Sequence, residues 1–165
     1  MNLPRYALAE EKFAEFIIQN SRIKAHYHEA GEGDKHLILV QTGGAGATAY
    51  MCWYMNLDAF AKAGYHVYAP DAVGFGLTEI ISGSGISAAE FVVAFMGEMG
   101  IKRAHFVGNS MGSMTATRLA LEHPRPCQEY DLHWRRAKNR DRRVPCRRTR
   151  AGQDCSDELR QADAH

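Results

Sequence analysis

The chain is 165 residues long, 45% hydrophobic and 24% charged, with a formal net charge of +1, which describes one ordinary globular domain or part of a larger one. A balance this close to neutral removes any global argument for binding nucleic acid or an anionic surface. No run of about 18 apolar residues occurs, and MNLPRYALAEEKFAEF carries acids where a signal peptide has its apolar centre, so the expectation is a cytoplasmic protein without a membrane span.

Residues 3 to 16 predict a short N-terminal helix or arm. FIIQNSRIKAHYHEAGEGD predicts two strands closed by a glycine turn; Ile23, Ala25 and Tyr27 alternate with Lys24, His26 and His28, so one face of the second strand is expected to be wet. HLILVQTGG is a continuous apolar strand of the kind buried on both faces in a parallel sheet, and its exit is rich in glycine. AYMCWYMNLDAFAKAGY then sets apolar residues at helical spacing, closed by Gly64 as a C-cap. YHVYAPDAVGFG is the next strand and exit loop, and SAAEFVVAFMGEMG is a helix opened by Ser87 and Glu90, a capping box. The strand AHFVG, the turn NSM and the helix GSMTATRLALEHP follow. Strands alternating with helices imply an α/β architecture with a mostly parallel sheet and flanking helices.

Composition changes after residue 124. Residues 1–124 hold 9 Lys and Arg against 12 Asp and Glu, and nearly all the Ile, Val, Phe and Met; residues 125–165 hold 11 basic residues against 7 acidic ones, and their only large aliphatics are Leu132, Val144 and Leu159. That is too little to build a core. Two segments are therefore expected, a folded 1–124 and an Arg-rich 125–165 that is disordered or out of frame. Cys52 lies alone in the first; Cys127, Cys146 and Cys155 in the second are spaced unlike CxxC ligands, so free thiols and no metal are expected.

The stretch FVGNSMGSM carries the clearest chemical signal. A serine hydroxyl is a weak nucleophile at neutral pH and needs a base to take its proton and donors to hold the oxyanion that forms. GNSMG fits GxSxG, with Gly108 and Gly112 flanking Ser110 between a predicted strand and a predicted helix. That setting is the one a nucleophile elbow requires. The Met111 amide, at a helix N-terminus, would face developing negative charge. QTGGAGATAY, after an earlier strand, can bring a second amide to the same oxygen, from Gly43, with Gly44 and Gly46 shaping the loop. A phosphate-binding loop is the competing reading of that stretch, but it contains neither GxGxxG nor GxxxxGK[ST].

With QTGGAGATAYMCWY, AGYHVYAPDAVGFGLTE, FMGEMGIKRAHFVGNSMGS and LALEHP in place, residues 20–124 resemble the α/β-hydrolases, and more narrowly the meta-cleavage product hydrolases, which split a carbon–carbon bond in ring-fission products of aromatic compounds. The resemblance implies an α/β-hydrolase fold, here with an incomplete sheet lacking the lid and C-terminal strands. It implies Ser110 as nucleophile or proton relay, Gly43 and Met111 as oxyanion donors, and Asn109, Gly44 and Cys52 beside the substrate, with no cofactor. Gln41 and Thr42 stand where the wider superfamily often has His-Gly, and Cys52 stands where relatives often carry an amide. Asp71 matches a structural aspartate, so no chemistry is assigned to it.

In this fold the acid and the histidine follow the serine along the chain. His123 closes Ser110's own helix, about 20 Å away at 1.5 Å per residue; His133 and His165 lie in the Arg-rich segment, where no strand is predicted. Read one base later, codons for RPCQEYDLHWRR admit DLARSMTFIGG, a turn and buried strand of the expected kind. A frameshift or truncation after Pro124 is therefore expected, with little activity. Competing readings are a carboxylesterase on the same fold and a non-catalytic protein whose RRAKNRDRR and RRTR bind nucleic acid, the latter disfavoured by interleaved acids and few aromatics. An incomplete sheet would expose apolar faces, so a homo-oligomer stays open.

Overall fold

The structure, a computed structural model, describes residues 9–80, 85–123 and 127–133, the last of these by their backbone course only. Strands β1 (Glu10–Ile18) and β2 (Ser21–Ala30) form an antiparallel hairpin. Gln19 and Asn20 turn it with φ of 48° and 67°, the paired left-handed conformation that suits the twist of a two-residue hairpin. Residues 10–16 thus belong to a strand, where a helix or arm is expected from sequence. The reason is visible in the side chains: Ala14, Phe16 and Ile18 are buried while Phe13 and Ile17 face outward. With Phe13, Phe16 and Ile17 all apolar, a period of two imitates helical spacing.

Four parallel strands follow: β3 (His36–Val40), β4 (His66–Pro70), β5 (Ala104–Asn109) and β6 (Cys127–His133). The sheet order is β1-β2-β4-β3-β5-β6, with β2 antiparallel to β4. Strand β6 runs parallel to β5 and sets His133 opposite Asn109, so a strand stands in the segment where none is expected from composition. Cys146, Cys155, His165 and the two arginine clusters lie outside the described residues.

Helices α1 (Ala49–Trp53), α2 (Leu57–Lys62), α3 (Ala88–Glu98) and α4 (Met111–Glu122) cover the two faces. The stretch expected as one helix is two, because the Asn56 amide turns back to the Trp53 carbonyl at 2.7 Å and asparagine is a poor residue for a helix interior. Trp53 and Leu57 are both buried on either side of that break. On one face Ile38, Val40 and Phe106 pack with Phe91, Phe95 and Leu119 of α3 and α4; on the other Leu37, Leu39, Val67 and Ala69 pack with Ala49, Trp53 and Leu57. Two covered faces explain why β3 is apolar at every position after His36.

The capping box of α3 is formed as expected. The Glu90 amide donates to Ser87 Oγ at 3.2 Å and the Ser87 amide to Glu90 Oε2 at 2.8 Å. The Ser87 backbone bond, then the Ser87 hydroxyl and Gln19, hold the Glu90 carboxyl below its ordinary 4.5. Replacing Ser87 with alanine should cost about 1 kcal/mol. Because the carboxyl titrates lower in the folded state, its contribution is whole above pH 4.5 and is lost as pH falls through the folded value. Acid-dependent thermal melts should therefore show wild type and Glu90→Gln converging at low pH, while the offset of Ser87→Ala largely persists.

Candidate active site

The elbow is built by close approach. Strand β5 ends at Asn109, helix α4 starts at Met111, and Ser110 between them has φ 55° and ψ −114°. A non-glycine residue in that region costs about 1–3 kcal/mol and persists only where its surroundings impose it. The imposing contacts are backbone ones. A Cβ on Gly108 would collide with the carbonyl of Gly112 and lie 2.6 Å from the Ser113 amide nitrogen; one on Gly112 would collide with the Val40 carbonyl and lie 2.6 Å from that of Gln41. Strand β3, strand β5 and helix α4 therefore meet at two glycines. Ser113 Oγ donates to the Gly108 carbonyl at 3.1 Å and ties the helix's first turn to the strand beneath it. Ser110 itself is exposed and its hydroxyl makes no capping bond to the helix.

The glycine loop after β3 reaches the same place. A Cβ on Gly43 would strike the Met111 side chain, with Cε 2.7 Å away, so the two residues expected to supply oxyanion donors are neighbours. Gly44 has φ 126° and open space around it. A cavity of about 60 Å³ lies alongside, lined by Val40, Gln41, Thr42, Gly43, Met111 and Thr115 together with side chains from the β4 exit and α3. Asn109 is half-buried at the end of β5. Cys52 does not line this cavity; it packs on the apolar cluster of Ala49, Trp53 and Leu57.

The far end of the loop is fixed by Asp71, 1% exposed. Its Oδ1 accepts from the Ala49 amide at 2.6 Å, its Oδ2 accepts from the Leu77 amide at 3.2 Å, and Oδ2 lies 2.6 Å from His26 Nδ1. His26 Nε2 lies 2.9 Å from Glu11 Oε1. Each ring nitrogen of His26 faces a carboxylate oxygen, one of them fully buried. His26 is thus buried, 4% exposed, where the strand alternation predicts a wet face. The β4 exit loop covers it: the Asp71 amide donates to the His26 carbonyl and the His26 amide to Thr78 Oγ1. The neighbouring His28 stacks on Tyr50 of α1; burial, then the charge of His26, lowers its pKa from the ordinary 6.5.

Among the described residues no imidazole or carboxylate is hydrogen-bonded to Ser110, and no group of three or more His, Cys, Asp or Glu is arranged to hold a metal ion. No helix among them is long and apolar enough to cross a membrane. The structure sets Gly43 against Met111 beside Ser110, as expected from sequence, and adds two features not expected there, the His26–Asp71 pair and a Gln41 amide without partners among the described residues. His26 had a signal, since a histidine two positions before another on an otherwise patterned strand asks for a partner. Gln41 had one in its departure from His-Gly.

A strained serine on a strand-to-helix turn, with a glycine loop from the neighbouring parallel strand leaning on the next residue, defines a serine-elbow α/β fold. The sequence matches the α/β-hydrolase fold family over residues 35–130, and the chain belongs to that family. It is 37% identical over 127 residues to a 2-hydroxy-6-oxo-6-phenylhexa-2,4-dienoate hydrolase of Comamonas testosteroni, covering 74% of this chain and 42% of that protein. It is 35% identical over 119 residues to a 2-hydroxy-6-oxononadienedioate/2-hydroxy-6-oxononatrienedioate hydrolase of Burkholderia vietnamiensis (strain G4 / LMG 22486), covering 70% and 41%. Among solved structures, a variant of the meta-cleavage product hydrolase of Pseudomonas fluorescens IP01 superposes with TM-score 0.65 at 30% identity, over 72% of this chain and 43% of that one. The corresponding 2-hydroxy-6-oxo-6-phenylhexa-2,4-dienoate hydrolase of Rhodococcus sp. strain RHA1 gives 0.63 at 26%, over 74% and 45%. The chain spans about two fifths of the length of the curated relatives it matches.

Substitutions at two positions test the elbow. Gly112→Ala should lower stability by roughly 1–3 kcal/mol or more, since the colliding atoms are backbone and cannot swing away. Ser110→Gly should raise it by about 1 kcal/mol by relieving the positive φ, while Ser110→Ala should not. Denaturant midpoints measure both.

Proposed function

We propose that this chain carries the nucleophile half of a hydrolase acting on carbon–carbon bonds in meta-ring-fission products of aromatic compounds. Ser110 acts as nucleophile or proton relay, the Gly43 and Met111 amides hold the oxyanion, and Asn109 and Gly44 border the substrate. The observation that carries the reading is the positive φ of Ser110 between Gly108 and Gly112, with Gly43 resting on Met111. The substrate class comes from the relatives, whose names specify dienoates bearing 2-hydroxy and 6-oxo groups. No cofactor enters the proposed chemistry. A free thiol at Cys52, among the described residues, suits a reducing compartment such as the cytoplasm. Exposed Met51, Met55 and Met114 leave self-association open.

With no base bonded to Ser110 among the described residues, the chain itself should hydrolyse slowly, and Ser110→Ala should leave that rate unchanged; loss of a triad member costs several orders of magnitude elsewhere. The decisive assay joins residues 1–123 to the C-terminal part of the Comamonas testosteroni relative. Turnover of 2-hydroxy-6-oxo-6-phenylhexa-2,4-dienoate, abolished by Ser110→Ala, is the expected result. Cleavage of p-nitrophenyl esters alone would point to a carboxylesterase, and cleavage of neither sinks both readings. For residues 125–165 we infer a single-base shift in the coding sequence. DNA sequencing tests it: a shifted frame that closes at once, without a later Asp and His, rules it out.

A further inference from the structure

Among the described residues, the cavity beside the elbow has three side chains able to hydrogen-bond, those of Gln41, Thr42 and Thr115. Two are already engaged: Thr42 Oγ1 donates to the Gly43 carbonyl at 3.3 Å and Thr115 Oγ1 to that of Met111 at 3.3 Å. Gln41 is different. It is 5% exposed, and neither its Nε2 nor its Oε1 has a hydrogen-bond partner among the described residues. A buried amide left without partners is costly, and in a native fold such a group calls for an explanation. The rest of the lining offers none, because Phe75, Phe91, Val92 and Met111 present carbon and sulfur.

Gln41 also lies beside the elbow, in the cavity that Gly43 and Met111 line. It follows β3 directly, precedes Thr42 and Gly43, and its carbonyl packs against Gly112 of the elbow helix. A primary amide places a donor and an acceptor side by side. A carboxylate or ketone oxygen only accepts and would leave Oε1 unanswered. A hydroxyl both accepts from Nε2 and donates to Oε1, so it answers both. A cavity of about 60 Å³ admits such a group, since one water needs roughly 10–15 Å³ by the same measure.

We propose that Gln41 is a substrate-binding residue whose amide pairs with a hydroxyl of the ligand, which in a 2-hydroxy-6-oxo-dienoate is the 2-hydroxyl. The inference rests on the hydrolase reading above and adds to it the group that selects hydroxylated from unhydroxylated acids. Water is the other source of the same chemistry, and the comparison of ligands separates the two.

The test uses the full chain, labelled with nitrogen-15, whose slow turnover leaves the ligand intact through the titration. It is titrated with 2-hydroxy-6-oxo-6-phenylhexa-2,4-dienoate and with 6-oxo-6-phenylhexa-2,4-dienoate, which lacks the hydroxyl. The hydroxylated compound should bind about tenfold more tightly and shift the Gln41 side-chain NH₂ pair, assigned by its disappearance in Gln41→Met. In Gln41→Met the tenfold preference should vanish. A preference that survives in Gln41→Met, equal binding of both compounds by the parent, or a Gln41 pair unmoved by a ligand that binds overturns this inference and leaves the hydrolase reading standing. Binding of neither compound overturns both. Should Gln41→Met fail to fold, the parent chain's preference and the movement of its amide pair decide alone.

Discussion

The Asp71 carboxylate is the constraint around which the rest is arranged. A buried ionised group is tolerated only when its charge is countered and its lone pairs are filled. Here a His26 ring nitrogen meets the carboxylate, and the amides of Ala49 and Leu77 fill the remaining positions. Each partner comes from a different part of the chain: β2, the start of α1 and the loop after β4. One carboxylate thereby fixes both the far end of the glycine loop and the loop that roofs the β2 histidines. The space it needs is kept by Gly76, where any Cβ would collide with the carboxyl.

From Asp71 the order passes to the elbow through α1 and the glycine loop. Thr48 caps α1 by accepting from the Met51 amide at 3.0 Å, so residues 41–48 are held between strand β3 and a fixed helix start. That leaves the loop little freedom to move Gly43 away from Met111. The elbow depends on the same economy of space, since Gly108 and Gly112 allow α4 to descend onto β5 and the end of β3. Polar bonding anchors one side of the site and backbone contact the other, and Gln41 lies at the junction of the two.

Much of this was legible in sequence because it rests on local chemistry. The capping box of Ser87 and Glu90, the apolar β3 and the Ser110 elbow are each set by residue types at short spacing. What was not legible depends on distant partners. His26 reads as wet by alternation and is dry because a loop 45 positions later folds over it. Strand β1 reads as helical because Phe13 and Ile17 are apolar on an open face. The break between α1 and α2 is set by tertiary burial of Trp53 and Leu57 on either side of a turn. Strand β6 runs through a segment whose composition promises no core, its course set by the open edge of β5.

The pairing of β3 with β5 has a kinetic meaning. Val40 and Gly108 are register partners although 68 positions separate them, whereas the β1–β2 hairpin closes through two residues. Loop-closure entropy makes the hairpin an early event and the parallel pairing a late one. The elbow, the glycine loop and the Gln41 cavity exist only once that late pairing has formed. A nascent or partly unfolded chain can thus hold native strand structure at one edge of the sheet while having no site between its inner strands.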